Sequence, residues 1–296
     1  PPTMRFVTFR DTSGYVQAGI VKDDRVIGLG AAGFSDVRSL LSHGDAGMNR
    51  AQQYAATATA GAELSGVALL APIARPPKVI CVGLNYRDHA IESKMEIPQV
   101  PTIFSKFSNS VIGASESIVL PKNSVKPDYE AEFAVVIGKA GRHITEEQAM
   151  DHVFGYTCVN DVSARDYQMA TTQWLMGKTF DTFCPMGPWI VTKDEIADPH
   201  ALDIRMTISG EVLHNSNTRE LIFKVPQLIA YVSSVCTLEP GDVISTGTPS
   251  GVGFSHKPPR WLRPGDECVV YVQGIGELRN RVIAVAESAT TSAVNR

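Results

Sequence analysis

The sequence lacks the cysteine pairs, secretory signal and long apolar runs that mark secreted, zinc-binding or membrane-spanning proteins. Its five cysteines stand singly and none forms a C-x-x-C pair, which argues against a disulfide framework and a structural zinc site. The longest apolar runs, such as residues 67–72, are far shorter than the roughly 20 residues that a membrane span requires. We therefore predict a cytoplasmic protein with no membrane partner.

An excess of basic charge is also missing. The chain has 27 Lys+Arg and 31 Asp+Glu, a formal net charge of −4, which argues against binding nucleic acid through its phosphates. With 44% hydrophobic residues, the chain has enough apolar surface to offset the entropy lost on folding, so a disordered protein is excluded. A length of 296 residues suits one large domain with an appendage, or two domains.

A proline-rich stretch divides the chain. Residues 71–77 (APIARPP) are typical of an extended linker, so we predict a small N-terminal domain over 1–72 and a second domain over 73–296. In the first part we predict short strands followed by a helix that Ser35 caps, that runs through Leu41 and that Gly44 stops, and then a surface helix over 51–62. The second part has many short strands and few helices, which favours an α+β, mainly β sandwich or roll over a doubly wound parallel sheet.

Three carboxylates are the most informative local feature. Glu130 and Glu132 stand two residues apart at the mouth of a predicted strand over 129–138, so both point to the same face, about 7 Å apart along the chain. Asp161 closes the next strand, and pairing of the two strands would bring it to the same end. Three carboxylates with no nearby Cys or His suit Mg²⁺ or Mn²⁺, with Ca²⁺ as a further candidate. The alternative is a wet edge strand, with Asp161 capping the helix that follows.

Two further motifs carry candidate chemistry. His89 and Glu92 stand three residues apart on a predicted helix, so the carboxylate can orient the imidazole and raise its basicity, as in a general base. The alternative is a solvated helix face with an incidental ion pair. The loop over 245–253 (STGTPSGVG) is no P-loop, but its N–H groups and hydroxyls can form a nest for a carboxylate. The alternative for this loop is an ordinary turn. Lys178 is a separate feature, and its sequence pattern alone predicts a surface lysine.

Taken in order, five motifs resemble the fumarylacetoacetate hydrolase superfamily: KVICVGLNYRDH, DYEAEFAVVIG, GYTCVNDVSARDYQ, GKTFDTFCPMGPWIV and LEPGDVISTGTPSGVG. The resemblance covers the chain from about Lys78 to Val282. It implies a catalytic domain that is a mixed β-sandwich roll, preceded by a small N-terminal α/β domain. It also implies a homodimer.

The resemblance assigns roles to residues of this chain. It implies metal ligands at Glu130, Glu132 and Asp161, a catalytic dyad at His89 and Glu92, an active-site lysine at Lys178, and substrate contacts at Gln168 and Thr248, with Tyr86 and Arg87 as further substrate-binding candidates. Two stretches depart from relatives, a short one over 169–177 and an insertion over 257–262. Both would border the substrate, so they leave its identity open and do not affect the metal chemistry.

Several reactions share this chemistry, in which a metal holds a small-molecule 2-oxo acid and stabilises its enolate. The His89–Glu92 pair favours hydrolysis, because attack by water needs a base. We therefore expect a hydrolase that cleaves the C–C bond of a 2,4-dioxo acid of the acylpyruvate, fumarylpyruvate or diketo-deoxy sugar acid type. The alternative is an oxaloacetate-type decarboxylase or a tautomerase or isomerase on the same scaffold. A binding module with a dead site would have lost a ligand or the base, and none is replaced.

Overall fold

The computed structural model describes residues 4–59 and 61–285, so residues 286–296 of the predicted second domain lie outside the described residues. Among the described residues up to 72 there are five strands and two α-helices: β1 (Arg5–Arg10), β2 (Val16–Lys22), β3 (Arg25–Gly28), α1 (Val37–Leu41), α2 (Gly44–Thr57), β4 (Ala62–Glu63) and β5 (Ala68–Leu70). Four consecutive residues are buried in β1 and four in β2, so both faces of these predicted strands are covered.

The remaining elements are mostly short strands: β6 (Val79–Gly83), α3 (Arg87–Ser93), β7 (Thr102–Ser105), β8 (Val111–Ile112), β9 (Ile118–Leu120), β10 (Pro127–Asp128), β11 (Ala131–Ile137), β12 (Val153–Asn160), β13 (Ser163–Ala164), α4 (Arg165–Gln168), α5 (Leu175–Lys178), β14 (Cys184–Thr192), β15 (Asp203–Ile208), β16 (Glu211–Asn217), α6 (Val225–Val235), β17 (Val243–Ser245), β18 (Glu267–Val272) and β19 (Gly276–Ala284). None of the helices in the described segments is both long and apolar enough to cross a membrane.

Two sheets form the body of the protein. The larger follows the order β4-β3-β2-β1-β14-β12-β11-β17-β6-β7, and the smaller β16-β15-β18-β19-β9. Phe133 of β11 and Ile204 of β15 lie in one buried cluster, so the two sheets pack face to face. The β17–β6 pair is parallel while β11–β12 is antiparallel. The predicted α+β, mainly β fold with mixed sheets is confirmed.

The N-terminal strands continue the larger sheet. Strand β1 pairs antiparallel with β14, with Arg5 opposite Val191 and Phe6 opposite Ile190. Phe6 also shares a buried cluster with Val136 of β11. Residues on both sides of the proline-rich stretch therefore share one sheet and one core, and a domain boundary at residue 72 stays a prediction.

The helical part before the linker differs from its prediction at Gly44. The cap of α1 is Asp36 and not the predicted Ser35, because the Asp36 carboxylate accepts a hydrogen bond from the Ser39 N–H at 2.7 Å. Gly44 does not stop the helical segment; it begins α2, with a left-handed φ of +54°. That conformation suits glycine and lets the chain turn sharply between two helices. The predicted helix over 51–62 therefore starts earlier and ends at Thr57.

The register of β11 and β12 determines where the acidic residues meet. Ala131 lies opposite Asn160 in this antiparallel pair, so the start of β11 and the end of β12 share one edge. Glu130 directly precedes β11 and Asp161 directly follows β12. The Asp161 N–H donates to the Glu130 carbonyl at 2.9 Å, which fixes the two residues side by side.

Candidate metal centre and adjoining cavity

The three predicted acidic residues converge at this edge. One carboxylate oxygen each from Glu130, Glu132 and Asp161 lies within 4.8 Å of the others, and all three residues are buried. The alternative of a wet edge strand is therefore wrong, because β11 is flanked by β12 and β17 and every residue of it is buried. Asp161 does not serve as a helix cap, since strand β13 separates it from α4.

Cations hold two of the three carboxylates. Lys178 Nζ lies 2.9 Å from Glu130 Oε2 and 2.8 Å from Asp161 Oδ2. Lys106 Nζ lies 2.5 Å from Asp161 Oδ1, and Arg165 Nη2 lies 2.7 Å from Glu130 Oε1. Burial raises the pKa of Glu130, but Lys178 and Arg165 outweigh burial and lower it to about 2. Lys178 is buried at the centre of the site, so the interpretation as a surface lysine is wrong.

Glu132 is the carboxylate whose charge is poorly compensated. Burial, together with the negative charges of Asp161 and Glu130, raises its pKa to about 8. Its Oε2 accepts hydrogen bonds from the Ser245 hydroxyl and the Gly247 N–H. These neutral donors orient the carboxylate toward the other two without cancelling its charge. A divalent cation would supply the missing positive charge.

The donor set fits a hard divalent cation. All three candidate ligands are carboxylates, and no His or Cys of the described chain belongs to the cluster, as is typical of Mg²⁺ or Mn²⁺ sites rather than zinc sites. The raised pKa of Glu132 is the second sign, because it marks a buried carboxyl group whose charged form lacks a counter-ion. Glu130, Glu132 and Asp161 would hold the ion.

The predicted dyad forms on α3. His89 Nδ1 lies 3.1 Å from Glu92 Oε2. The other oxygen, Glu92 Oε1, accepts from the Gly251 N–H at 2.9 Å and from the Ser255 hydroxyl at 2.8 Å. Burial raises the pKa of Glu92, but these donors outweigh it and lower the pKa below its usual range. Glu92 is therefore an ionised acceptor, and His89, which is 9% exposed, is no solvated surface residue.

A cavity of about 680 Å³ joins these groups. It is lined by Glu130, Glu132, His89 and Lys178, and by the predicted substrate residues Gln168 and Thr248. The Gln168 side-chain oxygen Oε1 accepts a hydrogen bond from Arg165 Nη1 at 2.8 Å, which leaves the side-chain NH₂ group to donate elsewhere. The Thr248 hydroxyl donates to the Ala131 carbonyl at 3.1 Å.

Tyr86 and Arg87 are placed differently from the other predicted site residues. Neither lines the cavity within the described part of the chain. The Tyr86 side chain is fully buried in the main core, and Arg87 Nη1 donates to the Leu221 carbonyl at 3.3 Å. The geometry gives their predicted substrate contacts no support.

Three residues of the centre escape sequence reasoning. Lys106 follows β7 and reaches Asp161, while Arg165 contacts both Glu130 and Asp128, the latter at 2.9 Å. Asp128 also accepts from the Gly253 N–H at 2.7 Å, which ties the glycine-rich loop to the centre. Arg165 and Asp128 both lie within motifs that the sequence analysis quotes. For Lys106, the feature that could have indicated a role is its position at the end of an apolar strand.

Known proteins match the chain over most of its length. A family model described as fumarylacetoacetate (FAA) hydrolase C-terminal matches residues 78–283. Over 221 residues the chain is 52% identical to the oxaloacetate tautomerase fahd2, mitochondrial, of Xenopus laevis, which spans 74% of this chain and 69% of that protein.

Solved structures agree with this match. A fumarylacetoacetate hydrolase from psychrophilic Exiguobacterium antarcticum superposes with a TM-score of 0.83 at 35% identity, over 95% of this chain and 99% of that one. The maleylpyruvate hydrolase of Sphingobium sp. SYK-6, in complex with manganese (II) ion and pyruvate, gives a TM-score of 0.80 at 30% identity, with coverage of 95% and 99%.

Proposed function

The chain belongs to the fumarylacetoacetate hydrolase family, and on that premise we propose that it is a divalent-metal-dependent enzyme that interconverts the keto and enol forms of oxaloacetate. The observation that carries the proposal is that Glu130 and Glu132 of the carboxylate cluster line the same cavity as His89. The Xenopus relative, which is named an oxaloacetate tautomerase, favours this reaction over the C–C hydrolysis that the motifs first suggest.

The metal would supply charge stabilisation. An ion held by Glu130, Glu132 and Asp161 would bind the 2-oxo acid and stabilise the negative charge that develops on its 2-keto oxygen. Lys178 adds to this effect, because Asp161 and Glu130 outweigh its burial and raise the pKa of its ammonium group. The ammonium therefore stays charged beside the site where the oxyanion develops.

His89 would move the proton. The Glu92 carboxylate can only accept a hydrogen bond, so the shared proton sits on His89 Nδ1. The Nε2 atom then carries the free lone pair and can take a proton from C3 of the substrate. The imidazolium so formed returns that proton to the 2-keto oxygen, which completes the enol and leaves His89 neutral again. The reverse transfer returns the ketone. Because Arg165 occupies the side-chain oxygen of Gln168, the Gln168 NH₂ group is suited to donate to the 1-carboxylate of the substrate.

A second candidate is hydrolysis of a 2,4-dioxo acid. The observation that favours it is the same dyad, since a base oriented by a carboxylate can activate water as well as remove a proton from carbon. The maleylpyruvate hydrolase neighbour, solved with manganese and pyruvate, is consistent with it. Hydrolysis would release pyruvate, whereas tautomerisation would release nothing.

Assembly and compartment are proposed separately. We propose a homodimer, which gel filtration with light scattering tests. The cytoplasmic location also remains a proposal, and the Xenopus relative is named a mitochondrial protein.

The experiment separates the two reactions by their products. Enol-oxaloacetate absorbance is followed with enzyme and MgCl₂ against an enzyme-free blank with the same MgCl₂, and pyruvate is measured in parallel. We expect faster keto–enol equilibration without pyruvate, loss of the effect in EDTA, loss in Glu132→Gln, and retention in the exposed control Glu146→Gln. Pyruvate released from acetylpyruvate, with no acceleration of oxaloacetate equilibration, would replace the proposal with hydrolysis.

A further inference from the structure

The cavity has two chemically different parts. One part contains Glu130, Glu132 and Lys178. Much of the remainder consists of aromatic and thioether side chains, here called the apolar wall: Phe104, Trp174, Phe254, Trp261, Met95 and Met169. Trp174 and Met169 come from the short stretch over 169–177, and Trp261 from the insertion over 257–262. Both stretches that distinguish this sequence therefore line the cavity.

The apolar wall begins next to the charged part. Lys178 Nζ lies 4.9 Å from the centroid of the Phe104 ring, so the ammonium group and the wall are in direct contact. Trp174 packs against Phe104 with ring centroids 5.4 Å apart and ring planes at 71°. A substrate whose 2-oxo acid end lies at the carboxylate cluster would meet these rings with the part beyond C3.

Backbone packing holds Trp174 in the wall. A Cβ atom built on Gly83, the last residue of β6, would lie 2.4 Å from Trp174 Cζ3. The indole therefore lies directly against the backbone of β6, in space that any side chain at residue 83 would occupy. Such a fixed aromatic surface binds an apolar group without first having to become ordered.

The size and polarity of the cavity fit a larger ligand than oxaloacetate. Its volume of about 680 Å³ lies within the range of about 300–1,000 Å³ that is typical of pockets for drug-sized ligands. A four-carbon dicarboxylate would fill only part of this space. An apolar substituent would gain by leaving water at the wall, whereas a second carboxylate placed against the wall would lose hydration.

We propose that the apolar wall is a binding subsite for an aromatic or comparably bulky apolar group carried on C4 of a 2-oxo acid. The proposal rests on the proposed function for the 2-oxo acid end of the ligand. It extends the substrate class to aryl-substituted 2-oxo acids, with the same proton transfer between C3 and the 2-keto oxygen. Trp174 is the residue that determines this preference.

Calorimetric binding of two ligands tests the subsite. The ligands are 2-oxobutanoate and 2-oxo-4-phenylbutanoate, which share the 2-oxo acid end and differ only in the phenyl group. Titrations with MgCl₂ compare the wild-type protein with Trp174→Ala, Trp174→Phe and Tyr231→Ala, a control at a partly exposed tyrosine on α6. We expect the wild-type protein and Tyr231→Ala to bind the phenyl ligand about tenfold more tightly or better.

In Trp174→Ala the ratio of the two affinities should fall close to one, and in Trp174→Phe it should be partly restored. Equal affinities in the wild-type protein, absence of binding by both ligands, or an unchanged ratio in Trp174→Ala would overturn the subsite. Oxaloacetate equilibration by the wild-type protein is measured separately. If the protein does not accelerate oxaloacetate equilibration but prefers the phenyl ligand, the proposed function is wrong and the subsite is kept. If it accelerates equilibration but shows no preference for the phenyl ligand, only the subsite is overturned.

Discussion

Lys106 and Asp161 form an ion pair in the interior of the protein, with Nζ 2.5 Å from Oδ1 and both side chains fully buried. Asp161 also contacts Lys178 through its other oxygen, so two ammonium groups share one candidate metal ligand. Arg165 adds a third buried cation, but it is shared between Glu130 and Asp128. Three cations therefore face four buried carboxylates, including Glu132, and a divalent ion would supply the missing positive charge.

Replacement of Lys106 by Met should destabilise the protein. The change leaves Asp161 with one cation fewer in a buried environment, and breaking such a pair costs about 3 kcal/mol of the free energy of unfolding. Urea unfolding in EDTA measures this loss, with the exposed Lys122→Met as the matched control. MgCl₂ should restore more stability to Lys106→Met than to the wild-type protein. An unfolding free energy equal to that of the control would show that the pair is not structural.

Glu132 should make the stability of the metal-free protein depend on pH. Burial beside Asp161 and Glu130 raises the pKa of Glu132 from 4.5 to about 8, so the folded protein holds a proton that the unfolded chain releases. Between about pH 5 and pH 8 the folded state binds more protons, and its stability falls as the pH rises. Urea unfolding in EDTA across this range should show that the free energy of unfolding falls less steeply with pH in Glu132→Gln than in Glu146→Gln. Equal slopes for the two variants would contradict the raised pKa.

Glu92 should act as a positioning residue for His89. Glu92→Gln removes the carboxylate that holds the proton on His89 Nδ1, and we expect kcat for oxaloacetate equilibration to fall about 100-fold. The pH–rate profile should also shift, which a purely structural role would not cause, and calorimetric Mg²⁺ affinity should be retained. Glu96→Gln, an exposed neighbour in the segment after α3, is the control. A profile identical to that of the control would exclude the dyad.

Lys126 should strengthen the binding of oxaloacetate by pairing with its second carboxylate. Of the described residues that line the cavity, three are Lys or Arg, and two of these, Arg165 and Lys178, already contact buried carboxylates. Lys126 is exposed at the rim. Lys126→Met should weaken the binding of oxaloacetate relative to that of 2-oxobutanoate, which lacks the second carboxylate. The expected change is only about threefold, because exposed ion pairs contribute little to binding. The ratio of the KM for oxaloacetate to the inhibition constant of 2-oxobutanoate measures this change. A ratio equal to that of the wild-type protein would show that Lys126 does not contact the second carboxylate.

The convergence of the carboxylates could be predicted from the sequence for a physical reason. A two-residue spacing on a strand places Glu130 and Glu132 on one side, and antiparallel pairing of consecutive strands brings the end of one to the start of the next. Asp161 follows from that rule alone. The i, i+3 spacing of His89 and Glu92 is equally local, and the structure brings them within 3.1 Å.

The cations and the sheet order were not predictable in this way. Lys106 lies 55 residues from Asp161 in sequence, and no local spacing rule connects a buried ammonium to a carboxylate that far away. The pairing of β1 with β14 is similarly non-local, because a proline-rich stretch is typical of a linker whether or not the strands before it join the following sheet. Gly44 was misjudged because one residue type both ends helices and permits the sharp turn between two of them.

The most direct test of the account is anomalous diffraction from crystals soaked in MnCl₂. The account predicts a manganese peak in contact with carboxylate oxygens of Glu130, Glu132 and Asp161, and absence of that peak in Glu132→Gln. A peak elsewhere, or no peak in the wild-type protein, would contradict the metal centre on which the proposed chemistry depends.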